Sequence, residues 1–273
     1  MKIDLSTAVG LVAGIIIISI GIVGNSGELY WFVNGISLLV VLGGTLSATL
    51  VNYSMKSLLG LYPVLKNVFT HESYEYQSVI EEIVKKAKIA RKSGVVSLEK
   101  ELNTIDDNFL RNGIELAINE RDSKRLRTFL ALEIDNIERR HASGQEIFFY
   151  MGAYAPAFGM LGTIMGLIIM MENFGGAQIG MEIDAISFNI AEKFAGLLQG
   201  MGLALITTFY GVLLSNLVFL PIGGKLKRKS QDEIMVRNII VEGIMSIHAK
   251  EHPILIHEKL MTFVQESKRP NKD

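Results

Sequence analysis

The sequence predicts an all-α, polytopic membrane protein with four transmembrane helices and a helical cytoplasmic domain. The first observation is composition: the 273 residues are 49% apolar, with a mean hydropathy of +0.33, yet 20% are charged. This balance is too apolar for a soluble domain and too charged for a chain lying wholly in lipid. The second is four long stretches without Asp, Glu, Lys, Arg or His, and the third is the segregation of Lys and Arg around them.

The four uncharged stretches all exceed the roughly 20 residues that a helix needs to cross a bilayer. They are Leu5–Gly27, Leu29–Met55, Ile147–Met171 and Phe194–Gly224. The first follows Lys2, as a signal peptide would, but it is too long and has no small-residue cleavage site. Residues 1–53 are therefore predicted to form a transmembrane hairpin.

The distribution of Lys and Arg predicts the orientation of the spans. The loop Gly24–Leu29 and the loop 173–192 contain neither residue, so Lys193 is the only basic residue on that side. Cytoplasmic loops carry the excess of Lys and Arg in membrane proteins. Both termini and the block between spans two and three are therefore predicted to be cytoplasmic.

Residues 54–146 are predicted to form a helical cytoplasmic domain. The spacing of Ser78 and Glu81 is that of a capping box, apolar residues follow at helical spacing, and Gly94 supplies a stop. The N-caps expected for the next two helices are Ser97 and Asp106 or Asp107.

The third and fourth spans are predicted to belong to longer helices. No helix breaker occurs between Ser123 and Gly144, so a helix should rise from the cytoplasm into the third span. Residues 147–222 are predicted to hold spans three and four, lining a pore, with the outer loop 173–192 between them. Within that loop, Ile183 and Ile186 begin a helical apolar spacing that suits the outer interface.

Residues 223–273 are predicted to form a cytoplasmic helical tail. An apolar stripe runs along its first helix, and Pro253 suits the first turn of a short last helix. The stripe consists of Ile234, Ile239, Ile240, Ile244, Met245 and Ile247.

Small residues recur every four positions on spans three and four. On span four these are Gly196, Gly200, Ala204 and Thr208, with Thr207, Gly211 and Ser215 adjoining; on span three they are Ala155, Gly159 and Thr163, flanked by Gly162 and Gly166. Such stripes let helix backbones approach closely in lipid. Two interpretations remain open: tight packing within one subunit, or a narrow and weakly polar inner wall of a ring.

Two prolines interrupt the same spans. Pro156 removes an intrahelical hydrogen bond, and the carbonyl freed four residues earlier needs a donor from a neighbour, a hydroxyl or water. A static kink is the alternative role. Pro221 lies at the inner end of span four, where it could simply mark the exit from the bilayer.

None of the four spans contains a charged side chain, since Glu172 and Lys193 lie only at the outer ends. Charged residues inside a membrane usually mark ion pathways. The chain therefore either moves no ions or receives an acid from a partner helix into a cradle of Thr and Gly.

Four segments of the chain resemble the MotA/PomA family of flagellar motor stator subunits. They are "ARKSGVVSLEKEL", "APAFGMLGTIMGL", "GMGLALITTFYGVLLSN" and "HPILIHEKLMTF". The more distant TolQ/ExbB proteins resemble only spans three and four. The resemblance implies a ring of five subunits in the bacterial cytoplasmic membrane around two MotB-type partners, whose single membrane helix carries the ion-accepting Asp.

The resemblance also implies roles for particular residues. Arg91, Lys92 and Glu99 match charges that engage the rotor protein FliG, and Pro156 and Pro221 match prolines tied to torque. Thr163 and Thr208 match positions that face the partner's Asp, with Thr207 and Gly159 beside them in the expected ion pathway. The expected helix-packing residues are Gly162, Gly166, Gly196, Gly200, Ala204 and Gly211.

The transported cation that the resemblance implies is expected to be a proton or sodium, and the threonine hydroxyls favour sodium slightly because they can replace its water. The alternatives are a TolQ/ExbB-like energiser of an outer-membrane machine and a non-conducting membrane scaffold. We expect neither an enzyme nor a cofactor, because no P-loop, HExxH or GxSxG motif occurs. His248 and His252 are a weak candidate metal pair, and no feature indicates nucleic-acid binding.

Overall fold

The computed structural model describes residues 4–70, 76–175 and 190–264, and within them the chain is all-α. It divides into two compact units. The first comprises Met1–His71 and Ser143–Leu226, and the second comprises Glu72–Ala142 and Lys227–Asp273. These two units are defined by their internal contacts, so the positions at which the chain enters and leaves the membrane stay predictions.

The prediction of four membrane-spanning helices is confirmed. Helices of sufficient length and apolar character are Leu5–Gly24, Leu29–Asn52, Ser123–Glu172 and Gly196–His248. The predicted apolar outer segment around Ile183 and Ile186 lies outside the described residues.

Helix α1 (Leu5–Gly24) is fastened at its N-terminal end. The Asp4 side chain caps it by accepting a hydrogen bond from the Ser6 amide (3.0 Å) and also contacts the Lys225 ammonium group. That hydrogen bond from Lys225 holds the pKa of Asp4 below its usual value. No residue of α1 is buried, so most of its apolar surface is available to lipid or to another protein chain.

The second span is not one continuous helix from Leu29. A 3₁₀ turn at Leu29–Phe32 precedes helix α2 (Gly35–Asn52), whose N-cap is Asn34. The Asn34 side chain accepts a hydrogen bond from the Ser37 amide at 2.9 Å. This cap starts a new helix inside the apolar stretch, which hydropathy alone does not reveal.

Two short helices follow α2, namely α3 (Met55–Leu59) and α4 (Leu61–Val68). Leu61 and Val68 are buried in the core of the first unit, together with Ile147 and Met151 of the third span. These two helices were not predicted from the sequence, because neither is long enough to show a clear helical period.

Both predicted long helices are confirmed. Helix α7 runs from Ser123 to Gly175 without a break at Pro156. Helix α8 (Ile190–Leu213) continues through a π-helical segment (Leu214–Phe219) into helix α9 (Leu220–His248).

The second unit packs helices around the apolar stripe of α9. They are α5 (Tyr76–Ser93), a 3₁₀ helix (Val95–Thr104), α6 (Asn108–Asn119) and α10 (Pro253–Met261). Ile239, Ile240 and Ile244 of α9 are fully buried against Ile80 and Ile83 of α5. The tail predicted from its apolar stripe is therefore an integral part of this core.

The helix boundaries of the second unit confirm some predictions and correct two. Gly94 follows α5 with a φ of +84°, and Asp107 caps α6 by accepting from the Leu110 amide at 2.8 Å. The capping box at Ser78 is wrong, because α5 already begins at Tyr76, which packs on the core. The cap at Ser97 is also wrong, because its hydroxyl donates to the Gly94 carbonyl in a 3₁₀ helix that starts at Val95. Pro253 opens α10 as predicted.

Candidate functional site

The small-residue stripes of α7 and α8 meet each other within one subunit. A methyl group added at Gly211 would lie 2.6 Å from the Ala155 carbonyl oxygen, and one at Gly159 would lie 3.0 Å from the Thr207 carbonyl oxygen. Because the obstructing atoms belong to the backbone, they cannot move aside as a flexible side chain would. The two spans are therefore in direct backbone contact, as small residues permit in lipid.

The same contact extends along both helices. A methyl group at Gly166 would meet Ala204 at 2.9 Å, and one at Gly200 would meet Met170 at 2.8 Å. Among the residues that the structure describes, none has an atom within 4 Å of such a methyl position at Gly196, so the expected packing role of Gly196 is not seen in this contact.

Thr163 and Thr208 face each other across the two spans. Their hydroxyl oxygens are 2.6 Å apart, and both hydroxyls also lie within reach of the Gly159 carbonyl oxygen, at 3.1 Å for Thr163 and 3.4 Å for Thr208. Both side chains are half-buried. We call these two hydroxyls and this carbonyl the hydroxyl patch. It can donate a hydrogen bond to a carboxylate, and its oxygens can replace water around a small cation.

Thr207 does not belong to the hydroxyl patch. Its side chain is 2% exposed, packs against Gly162, and donates a hydrogen bond to the Ala204 carbonyl of its own helix at 2.8 Å. A neighbouring threonine on a helix points about 100° away, so Thr207 lies in the helix contact while Thr208 lies at its edge.

An open apolar groove lies beside the hydroxyl patch. It has a volume of about 480 Å³, and Thr208 and Asn216 are the polar residues in its wall. Ile18 of α1 forms the opposite side. Thr208 thus lies at the edge of the contact between α7 and α8 and also lines the groove.

The carbonyl that Pro156 leaves without an amide donor accepts a hydrogen bond from the neighbouring span. The Gly152 carbonyl, four residues before Pro156, accepts a hydrogen bond from the Ser215 hydroxyl at 2.6 Å. Ser215 is 2% exposed, so no water is needed at this point. The sequence placed Ser215 on a small-residue stripe, but it could not indicate which carbonyl the hydroxyl would meet.

Pro221 lies two residues after the end of the π-helical segment that contains Ser215. The Leu220 amide donates to the Ser215 carbonyl, five residues earlier instead of four. A wider turn in front of a proline eases the clash between its ring and the preceding turn. Pro221 itself is exposed, in the first turn of α9.

Tyr210 is a further residue of this site that the sequence analysis missed. Its hydroxyl donates to the Phe32 carbonyl and accepts a hydrogen bond from the Asn34 amide at 3.1 Å. Phe209 packs edge-on against Phe32, with 5.3 Å between ring centroids. Helix α8 therefore supports the break at the start of the second span.

The side chains predicted to meet the rotor are exposed in the second unit. Arg91 and Lys92 lie in the last turn of α5, and Glu99 lies in the 3₁₀ helix after Gly94. The two elements are joined by Lys86, which is 3% exposed and contacts Glu101 at 3.0 Å and Thr104 at 2.8 Å. This buried ion pair was not anticipated from the sequence.

The two candidate metal ligands of the tail have other contacts. His248 Nε2 lies 2.9 Å from the Glu120 carbonyl oxygen, and the His252 side chain caps α10. Within the described parts of the chain, no group of three or more His, Cys, Asp or Glu side chains converges on a metal-sized site.

Comparison with known proteins places the chain among membrane ion channels. A family model described as the MotA/TolQ/ExbB proton channel family matches residues 101–239. Motility protein A of Borreliella burgdorferi is 32% identical, and the alignment covers 93% of this chain and 91% of that protein. Chemotaxis protein PomA of Vibrio alginolyticus is 32% identical and covers 97% of both chains. An uncharacterized protein of Bacillus subtilis, YtxD, is 33% identical over 96% of this chain and 91% of its own length.

Two solved structures have the same fold over nearly the full length. The flagellar MotAB stator complex from Bacillus subtilis contains a chain with a TM-score of 0.80 and 26% identity, covering 96% of both chains. The MotAB structure from C. jejuni contains one with a TM-score of 0.84 and 24% identity, covering 99% of this chain and 100% of that one.

Proposed function

The chain belongs to the MotA/TolQ/ExbB proton channel family, and we propose that it is a stator subunit of the flagellar motor. Together with a MotB-type partner, it carries cations across the membrane and exerts torque on the flagellar rotor. The observation that carries the proposal is the near-complete alignment with Motility protein A and PomA, at 93% and 97% of this chain. The TolQ/ExbB-like alternative accounts for less of the chain, since the family model that includes those proteins matches residues 101–239.

The hydroxyl patch supports a division of labour between the two proteins. The four spans offer hydroxyls and a carbonyl but no carboxyl of their own, so the group that takes up the cation comes from the partner's membrane helix. Near the patch, that carboxylate accepts hydrogen bonds from Thr163 and Thr208 when charged, and these contacts change when it binds its cation. Each unit charge that crosses contributes about 2.3 kcal/mol per 100 mV of membrane potential.

The assembly is a ring of five such chains around two partners in the cytoplasmic membrane, with both termini on the cytoplasmic side. The change of contacts at the patch moves the ring stepwise around the partner helices. Arg91, Lys92 and Glu99, exposed at the Gly94 turn, pass this motion to FliG. The near absence of Lys and Arg from the outer loops supports the orientation.

Sodium is the cation that the patch favours, with a proton as the second candidate. Two hydroxyl oxygens and a carbonyl oxygen can replace part of the water around sodium, whereas a proton needs only the partner's carboxylate. Swimming speed that rises with sodium concentration and resists a protonophore supports sodium. Speed that is independent of sodium and collapses with the protonophore supports protons.

The function is tested by co-expressing the chain with its MotB-type partner in a strain that lacks its own stator. Swimming should return with the wild-type pair. Replacing the partner's intramembrane Asp by Asn should abolish swimming while the two proteins still co-purify. Normal swimming with the Asn variant would contradict the proposal, and loss of co-purification would mean that the Asp serves assembly instead.

A further inference from the structure

We propose that Ser215 is a positioning residue that joins Pro156 and Pro221 into one hinge between the third and fourth spans. The inference rests on the proposed function, because it assigns the hinge to torque transmission. It adds Ser215 to the residues of the proposed mechanism and links the hinge mechanically to the hydroxyl patch, where the cation is proposed to bind.

The first part of the hinge is the bond at Pro156. The Gly152 carbonyl has lost its usual donor to the proline, and an unsatisfied carbonyl in a bilayer is costly. The Ser215 hydroxyl replaces the missing amide at 2.6 Å. The close approach of Gly211 to Ala155 and Pro156, one turn away along α8, leaves no space for water to take over this role.

The second part is the π-helical segment. The Ser215 carbonyl accepts a hydrogen bond from the Leu220 amide, which stabilises the π turn. The Ser215 hydroxyl donates to the Gly152 carbonyl of α7, so one residue takes part in both contacts. Converting the π turn to an α turn would rotate Ser215 by about 100° relative to the helix below it. Because Ile222 and Leu226 anchor the start of α9 in the core of the first unit, this rotation would move the hydroxyl away from Gly152. The turn before Pro221 and the bond behind Pro156 therefore form or break together.

The third part is the relation of the hinge to the hydroxyl patch. Thr163 lies seven residues after Pro156, and Thr208 lies seven residues before Ser215. Seven residues are two helical turns, or about 10 Å. The two spans are therefore linked by two polar contacts on the same pair of faces, Thr163 with Thr208 and Gly152 with Ser215. A shift of α8 that follows cation binding at the first contact reaches α9 through the second.

A double-mutant cycle isolates the Ser215 contact. Pro156→Ala restores an amide that can donate to Gly152, so Ser215→Ala should matter only while Pro156 is present. In the purified stator complex, Ser215→Ala should lower the melting temperature by several degrees when Pro156 is intact and leave it unchanged in the Pro156→Ala variant. Equal losses on both backgrounds, or no loss on either, would overturn the hinge.

Torque measurements separate positioning from mere structural support. In cells with matched stator levels, Ser215→Ala should lower torque per stator about tenfold, the effect of one net hydrogen bond on a barrier. The cation concentration for half-maximal torque should stay unchanged, and Ser215→Thr should restore torque. Ser19→Ala is the matched control, because that hydroxyl bonds only to its own helix, at 2.9 Å from the Ile15 carbonyl.

The outcomes also distinguish this inference from the proposed function. If wild type fails to restore swimming in the stator-deficient strain, the proposed function is wrong, while the melting-temperature cycle still decides whether Ser215 serves the Gly152 carbonyl. If wild type swims and Ser215→Ala lowers the melting temperature with normal torque, Ser215 is only a structural support and the hinge is rejected.

Discussion

At the scale of single residues, the two members of the Lys86–Glu101 ion pair differ in their exposure to solvent. Lys86 is 3% exposed, whereas the Glu101 side chain is 35% exposed. Removing Glu101 leaves a buried ammonium with Thr104 as its remaining contact, whereas removing Lys86 leaves a carboxylate that water can reach. The geometry at the Gly94 turn therefore depends more on the acid than on the base.

We expect Glu101→Ala to destabilise the second unit by about 3 kcal/mol, the lower end for breaking a buried pair from one side, because Glu101 is partly exposed. Lys86→Met, which keeps the aliphatic stem, should cost about 1–3 kcal/mol. Hydrogen exchange of the α5 amides in the intact protein measures both effects. A larger loss for Lys86→Met would show that the ammonium group is not the costly member of the pair.

Thr208 is the residue whose hydroxyl the proposed mechanism needs. Thr208→Val keeps the shape of the side chain and removes its bonds to Thr163 and Gly159, so it should abolish swimming with normal assembly. Thr208→Ser should retain most of the speed. Thr49→Val is the matched control, because the Thr49 hydroxyl donates only within α2, at 2.7 Å from the Thr45 carbonyl. Full speed in Thr208→Val would argue against a role for the patch.

At the scale of helices, the contact of α7 with α8 depends on the absence of single methyl groups. Gly211→Ala would place a carbon 2.6 Å from the Ala155 carbonyl and 3.1 Å from the Pro156 Cα, so the helices must separate. We expect a loss of about 1–3 kcal/mol, as in other overpacked sites. Thermal unfolding of the purified protein measures it.

Gly202→Ala is the control for this prediction, since it lies on the same helix and has no atom within 4 Å of the added methyl. Alanine is the better helix former, so this variant should be neutral or slightly more stable. Similar losses for the two variants would mean that the cost is general to α8 rather than caused by the contact at Ala155.

Glu242 links three helices of the second unit through charge. Burial would raise the pKa of Glu242, but hydrogen bonds from Arg127 (2.8 Å) and Lys259 (3.2 Å) outweigh it and lower the pKa below its ordinary value of 4.5. A carboxyl with a lowered pKa in the folded state contributes stability above the unfolded value and loses it as the pH falls through the folded value.

We therefore expect Glu242→Gln to destabilise the protein at pH 7, with a difference from wild type that shrinks as the pH falls below 4.5. Melting temperatures of both proteins between pH 7 and pH 3 would measure this. A difference that stays constant over the whole range would show that packing, and not the charge of Glu242, accounts for the loss.

At the scale of the whole molecule, the proposed function makes this chain the wall of a channel and assigns the titrating group to the partner. Reconstituted alone into vesicles, it should carry no measurable cation current under a 100 mV potential. Adding the MotB-type partner should produce flux, and the partner with Asn for its membrane Asp should not. Flux at a physiological rate from the chain alone would contradict the division of labour.

Much of this architecture follows from local pattern. Uncharged stretches of sufficient length predict four spans, the uninterrupted apolar periodicity after Ser123 predicts the length of α7, and Asp107 and Pro253 predict helix starts. These features depend on a few consecutive residues and on the cost of exposing a charge or an unpaired amide to lipid. The errors at Ser78 and Ser97 arose where tertiary packing extended a helix or tightened it to 3₁₀ geometry.

The sequence by itself determined the fold class, the number of spans and the absence of Asp, Glu, Lys, Arg and His from the uncharged stretches, because hydropathy and charge act on each segment separately. Only the tertiary structure decided which polar groups meet: Thr163 with Thr208, Ser215 with Gly152, and Lys86 with Glu101. The two groups of a pair come from different helices or helical turns, 15 to 63 residues apart. No local period encodes such a distance, since it depends on how closely the glycines of α7 and α8 allow their backbones to pack.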